Sequence, residues 1–472
     1  MIPKFLNVRA SCVRGFLHIL ALFFFCVSGV FGQEKPGKET VHINPQDAVE
    51  MAIKNNLSLE SARISLDTKQ RKADLVWNQF LPSVGVTGTL SRDNRATTQQ
   101  GFDFAAFTPY SITLPQWHIF GNFSATLDFS FALIEGIKSV KMDYQTGFLS
   151  MDKARLQLER DVRKTYNQIL LLEKNAELLS ESYANAKRQA ASAEANFRAG
   201  LAPRLIWLQA QVSVENMRPT INEMENSIKA LRGSFAMSLG LPYDTPLALE
   251  AFPPGGFNIP FDLAELISKA VSGKPDLMEL RQSIATLKSA RKAQAMQTYT
   301  PFLRFGWTLS STFFRDPFKD ELFNTNNWIK GGNFSITLGM NFNGLFSFTK
   351  EGQAIKDADN RIRELNVAMT QAIMGTELEV FTKLNSLEKT RSTEEAQKAA
   401  VELAELSYKL TEEAYRAGLQ DFQQVQSAAL ALDQARLQLL TQQFNYYNDL
   451  IDLEYAVGVP FGTMSSFGNK QE

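Results

Sequence analysis

The sequence predicts an α+β membrane protein built from two structural repeats, each with two membrane strands and a long helical hairpin. Three observations predict it. The chain echoes itself at a spacing of about 218 residues. Four segments alternate apolar and polar residues with period two, as strands between two solvents do. Long runs with almost no glycine or proline read as helices far longer than those of a compact domain.

The echo comes first because it sets the architecture. Phe197-Arg198-Ala199-Gly200-Leu201 returns as Tyr415-Arg416-Ala417-Gly418-Leu419, and Leu239-Gly240-Leu241-Pro242 returns as Val457-Gly458-Val459-Pro460. Ala52-Ile53 and Leu59 return as Ala270-Val271 and Leu277, and Gly121-Asn122-Phe123-Ser124 returns as Gly332-Asn333-Phe334-Ser335. A period this long means two copies of one unit, not a short-repeat solenoid. The chain divides into a leading segment 1–32, a first repeat 33–260, a second repeat 261–460 and a tail 461–472. Pro242, Pro246, Pro253, Pro254, Gly255 and Gly256 mark a linker from Gly240 to Pro260.

Residues 1–32 read as a signal peptide. Lys4, Arg9 and Arg14 precede the apolar run Phe16 to Val30, and Val30-Phe31-Gly32 suits cleavage. Both cysteines, Cys12 and Cys26, fall in it, and Phe25 before Cys26 argues against acylation. The exported chain then has no disulfide and no thiolate chemistry. A formal net charge of −1, without long runs of one sign, argues against nucleic acid as a partner.

The four strands are explicit. Phe123, Ala125, Leu127, Phe129 and Phe131 oppose Asn122, Ser124, Thr126, Asp128 and Ser130. Phe334, Ile336, Leu338, Met340 and Phe342 oppose Asn333, Ser335, Thr337, Gly339 and Asn341. Ser83 to Arg92 and Leu303 to Ser310 alternate in the same way. A half-buried sheet in a soluble protein gives the same pattern. Lengths of about 10 to 12 residues, Phe-rich apolar faces and flanking aromatics (Trp77, Phe80, Tyr299, Trp328) favour a bilayer. Four strands cannot close a barrel, and an open edge in lipid leaves unpaired backbone groups, so strands from other copies must complete it. Three copies would supply twelve. The hairpin connections, Asp93 to Phe120 and Arg315 to Gly331, would lie on the outer side.

The helices follow. Lys138 to Arg198 would span about 90 Å at about 1.5 Å per residue. Apolar positions recur three and four apart (Val162, Tyr166, Ile169, Leu170), which a plain coiled-coil rod would also show. Each long helix ends at Arg-Ala-Gly-Leu, where glycine suits a left-handed stop. Arg198 and Arg416 fit either a helix-dipole contact or a partner contact. The interval from Gly121 to Arg198 is about seven residues shorter than that from Gly332 to Arg416, close to two turns, and reads as a difference in helix length. Pro219, absent from the second copy near Leu437, should remove a backbone bond and kink its helix.

Taken together, these motifs resemble the TolC family of outer-membrane efflux and secretion channels. The resemblance covers about Asn44 to Pro460. It rests on the two tip motifs, the Ala48-Val49 to Leu59 helix, Phe80-Leu81-Pro82 and Thr300-Pro301 before strands, and the Gly-Leu-Pro and Gly-Val-Pro closures. It implies a homotrimer with a twelve-stranded β-barrel in the outer membrane, continuous with a long α-helical barrel in the periplasm. It also implies a periplasmic adaptor and an inner-membrane pump, proton-driven or ATP-driven. The adaptor would dock at Arg198, Ala199, Gly200 and Leu201 and at Arg416, Ala417, Gly418 and Leu419. Family members that narrow the periplasmic end with acids would do so where this chain has Gln424 and Ser427, with only Asp421 nearby. A carboxylate ring is therefore not carried over, and helix packing and polar contacts would close this mouth.

No catalytic or cofactor motif stands against that reading. His42 and His118 lack metal-ligand spacing, and no phosphate-binding loop, nucleophile elbow or zinc helix occurs. The expectation is a channel without enzyme activity, cofactor or metal. The alternative is a trimeric, strand-anchored helical stalk with a structural or adhesive role.

Overall fold

The computed structural model describes residues 40–95, 98–103, 105–113, 115–250, 262–313, 315–342, 346 and 348–466. The expected signal peptide with both cysteines, and linker residues 251–261, lie outside the described residues.

Each repeat opens with two helices whose starts are set by a side-chain cap, a first-turn proline or both. After strand β1 (Val41–Ile43), helix α1 (Pro45–Asn55) starts where the Asn44 side chain accepts the Asp47 N–H at 2.8 Å and Pro45 fills the first turn. Asn56 caps α2 (Leu57–Asp74) through the Ser58 and Leu59 N–H groups. The second repeat repeats the device. Asp262 caps α5 (Leu263–Gly273) at the Ala264 N–H, and Pro275 opens α6 (Pro275–Tyr299).

The membrane sheet has four antiparallel strands in the order β2 (Ser83–Arg92), β5 (Trp117–Ser130), β7 (Phe302–Phe313), β8 (Trp328–Gly339). Its register keeps like faces together. Val86, Phe123, Leu309 and Gly332 form one row, and Val84, Ala125, Trp307 and Phe334 form the next. The other face carries Thr87, Asn122, Ser310 and their neighbours. There Arg304 holds Asp128 directly opposite through two hydrogen bonds, and Thr308 bonds Asn333. Strands β2 and β8 are both unpaired edges.

Three expectations need correction here. The stretch Asp93 to Phe120 is not one connection: β5 begins at Trp117, and a separate hairpin, β3 (Thr98–Asp103) with β4 (Thr108–Thr113), stands inside it. Phe131, Met340 and Phe342 are not strand residues. The ladder stops at Phe302, which pairs with Ser130 and Gly339, because Pro301 before it has no N–H to donate. The difference of about seven residues is not in the helices. Both α3 (Ala132–Arg198) and α7 (Lys350–Arg416) have 67 residues. One residue joins β5 to α3, whereas 340–349 join β8 to α7. The extra chain lies in this connection, where insertions are tolerated better than inside a packed helix.

At about 1.5 Å per residue, α3 and α7 are each about 100 Å long. They form a single layer with their neighbours. Near the sheet the order is α2, α3, α6, α7; farther away it is α4 (Arg204–Ser238), α3, α8 (Phe422–Val457), α7. Helix α4 continues through Pro219.

Mid-length, two cores pad one side of this layer. The first joins Ile43, Val49 and Ala52 to Val162, Tyr166 and Phe235. The Tyr166 hydroxyl bonds the carbonyls of Ile43 and Glu250, at 3.0 and 2.7 Å, which ties in the parallel pair of β1 with β6 (Leu247–Leu249). Burial pushes its phenol up to about 12. The second core joins Leu266 and Ala270 to Val380, Leu384, Leu450 and Leu453. In it Glu454 occupies the place that Ala236 holds in the first. Its carboxylate, 2% exposed, accepts the Gly462 and Met464 N–H groups at 2.9 and 2.8 Å, and so anchors α9 (Thr463–Ser466). Burial pushes that carboxyl up, against the lowering effect of these two bonds.

Candidate functional site: the hairpin tips and the channel wall

Both hairpins end in the same backbone motif. Gly200 and Gly418 sit at φ of 73° and 75°, the left-handed region where glycine carries no Cβ penalty. The Gly200 N–H bonds the Phe197 carbonyl at 3.0 Å and the Leu201 N–H bonds that of Asn196 at 2.8 Å. Gly418 and Leu419 repeat this with Tyr415 and Ala414. The turn throws Leu201 and Leu419 outward, each 79% exposed. Arg198 and Arg416 each reach back one turn, to Glu194 and Glu412, and their side chains stay exposed. Ala199 and Ala417 are exposed beside them. The eight expected docking residues thus form two matching patches, each an apolar leucine next to a half-neutralised arginine.

The expected constriction residues are exposed as well. Asp421 precedes α8 without a side-chain cap, Gln424 is free of the core, and the Ser427 hydroxyl bonds its own helix at Gln423. What joins the two hairpins is Phe422. It is 6% exposed and packs with Ala193 and Ala210 of the first hairpin, in a cluster with Trp207 and Tyr415. Trp207 stacks on Phe197 with 5.6 Å between ring centroids, and Tyr415 meets Phe422 at 5.9 Å. Between the two hairpins, the described packing at the tips is this apolar contact. The signal was in the echo: the position matching Phe422 is Arg204, an unlike residue in an otherwise similar tip.

Higher on the wall, Lys164 of α3 and Lys383 of α7 both bond Asp452 of α8, at 3.0 and 2.8 Å. Next to them Asn167 bonds Asn448, and Asp449 accepts from Ser386 and Thr390. Lys164 lies two residues from both Val162 and Tyr166, so it points away from the padded side of the layer. Burial pushes the Asp452 carboxyl up, but hydrogen bonds from Lys383 and Lys164 outweigh it and hold the carboxyl below the usual range. A depressed carboxyl stabilises the fold above its unfolded value and loses that contribution as pH falls through the folded one. Asp452→Asn should therefore lower stability at neutral pH by about 1.5–3 kcal/mol, the scale of a charged hydrogen bond. Thermal unfolding of both proteins should show the gap closing as pH falls below the usual carboxylate range; a gap independent of pH would contradict it.

A sheet with one apolar and one polar face, carried on a single layer of helices about 100 Å long, is the architecture of a membrane-anchored protein with a long helical extension. The chain belongs to the outer membrane efflux protein family, whose model matches residues 48–240 and 266–459. The unmatched stretch between them is the linker region. The fold is that of solved channels of low sequence identity. The Campylobacter jejuni CmeC outer membrane channel superposes with a TM-score of 0.71 at 16% identity, covering 91% of this chain and 90% of that one. CusC gives 0.70 at 16% identity over 92% and 96%. The outer membrane protein VceC from Vibrio cholerae gives 0.69 at 16% over 88% and 96%. No curated protein matches the chain in sequence at a significant level. The protein is thus an outer-membrane protein of the efflux class, with its helical part in the periplasm.

Proposed function

We propose that three copies close a twelve-stranded barrel and a helical tube, forming a passive conduit across outer membrane and periplasm. The observation that carries this is the four-stranded sheet with two open edges on a wall of helices. In lipid each unpaired backbone group is worth several kcal/mol, and only closure with other copies satisfies them all. Strands β2 and β8 run in opposite directions, so each copy can add to the next with the antiparallel pattern intact. The conduit serves a tripartite efflux or type I secretion system. A periplasmic adaptor docks on the patches at 198–201 and 416–419, and an inner-membrane pump supplies the energy.

The mouth opens when the second hairpin parts from the first. Cysteines at Ala193 and Phe422, which pack together in the tip cluster, should lock it. Under oxidation, this variant should lose transport in cells and conductance in planar bilayers, and reduction should restore both. Undiminished flux through the crosslinked protein would defeat the gating proposal. A trimer that stays silent in bilayers, both as wild type and with Phe422→Ala at the tip, would favour the stalk instead.

A further inference from the structure

We propose that the outer rim of the barrel binds the phosphate of an outer-leaflet glycolipid, through Arg92 of one copy and Lys330 of the next. This rests on the trimeric reading above. The lipid face of the sheet resolves into rows. Moving outward, Val86–Phe123–Leu309–Gly332 is followed by Gly88–Gly121–Ser311–Lys330, then by Leu90–Ile119–Phe313–Trp328, and Arg92–Trp117 comes last. Lys330 therefore stands one row deeper than Trp328, on the face that otherwise carries apolar and small side chains. Arg92 ends the same face on the opposite edge strand, with its guanidinium over the Trp117 ring at 5.6 Å. Trp117 in turn meets Phe318 edge-on at 5.2 Å.

Neither cation forms an ion pair among the described residues, and both are exposed. Their neighbours differ. Arg304 on the water face holds Asp128, Arg315 and Lys319 have Asp320 and Asp316, and the nearby Asp93 is taken by His118. A cation on the lipid face is unfavourable by about 2–4 kcal/mol at the midplane and about 0–1 near the interface. An anionic headgroup at that level offsets it. The two sit on the edge strands β2 and β8, within the outermost three positions of each. Pairing of copies sets these two edge strands side by side, about 4.8 Å apart, with Arg92 two rows farther out than Lys330 in each copy's own register. A fork-shaped guanidinium and an ammonium then flank one seam, the pairing that a phosphate monoester fits. Because the site lies at the end of the strands away from the helices, the lipid it meets belongs to the outer leaflet. A phosphorylated glycolipid is therefore the ligand, rather than an inner-leaflet phospholipid.

Native mass spectrometry of the purified protein reads subunit number and bound lipid together. Lipid A, phosphatidylglycerol and phosphatidylcholine are the probes, and Arg92→Ala/Lys330→Ala is compared with wild type and with Lys409→Ala on a distant helix. The expected result is a wild-type trimer that holds lipid A at three equivalent sites and prefers it to both phospholipids. Affinity should fall about tenfold or more in the double variant and be unchanged in the helix variant. A trimeric double variant that binds lipid A as wild type does would overturn the site. Equal retention of phosphatidylglycerol would overturn the glycolipid assignment. A wild-type protein that is not trimeric would instead overturn the assembly on which the seam depends.

Discussion

Phe422→Ala should open the periplasmic mouth. The ring is the buried link between the two hairpins, packed with Ala193 and Ala210. Removing a buried phenylalanine is worth about 3–5 kcal/mol in a full core. The cluster is small and lies at an exposed tip, so about 2–3 kcal/mol is the scale here, and that shifts a closed-to-open ratio by roughly 30- to 150-fold. Single-channel recordings should show higher conductance and fewer closed intervals. Cells carrying the variant should admit large antibiotics that the wild type excludes. Substituting Gln424 or Ser427, which are exposed and not members of that apolar cluster, should do much less. If Phe422→Ala conducts like wild type while Gln424→Ala opens the mouth, closure is polar after all.

The second large effect separates two adjacent residues. Val86→Lys and Thr87→Lys place the same charge one residue apart on β2. Val86 shares its row with Phe123 and Leu309, and Thr87 shares its row with Asn122 and Ser310. A lysine at mid-strand on the lipid face is unfavourable by roughly 2–4 kcal/mol per copy, and a trimer carries the penalty three times. Val86→Lys should therefore abolish assembled protein in the outer membrane. Thr87→Lys should assemble normally and shift ion selectivity toward anions, because its charge faces water. Heat-modifiable mobility of the membrane fraction and reversal potentials in bilayers would score both. Assembly of Val86→Lys together with loss of Thr87→Lys would invert the assignment of faces.

These outcomes depend on features of unequal legibility. The period of two in β2, β5, β7 and β8 was readable because each strand lies between two solvents, and every second side chain records the difference. The tip turns were readable because only glycine takes φ near 75° at no steric penalty, so Gly200 and Gly418 announce themselves. The β3–β4 hairpin was not, because Thr98 to Thr113 has little alternation and pairs only with itself. Phe422 was hidden for a different reason. A phenylalanine in the first turn of an amphipathic helix looks like any core residue, and its partners Ala193 and Ala210 are more than 200 residues away. The Asp452 cluster was hidden likewise, since Lys164 and Lys383 occupy unmatched positions in the two repeats.

The strands, the long helices, the duplicated tips and the two-repeat plan were determined by the sequence alone, because each is set by local periodicity or by one residue's backbone preference. The tertiary structure decided the rest. With both long helices at 67 residues, the inserted residues fall in the connection at 340–349, since a connection accepts extra chain more readily than a packed helix does. It placed Glu454 over the N–H groups of Gly462 and Met464, since a buried carboxylate must find donors wherever the chain brings them. It brought Phe422 against Ala193 and Ala210 of the other hairpin, and it set two cations, without ion pairs among the described residues, on opposite edges of one face. Those depend on which helices and strands become neighbours, and that is settled by long-range packing and pairing, which no local pattern records.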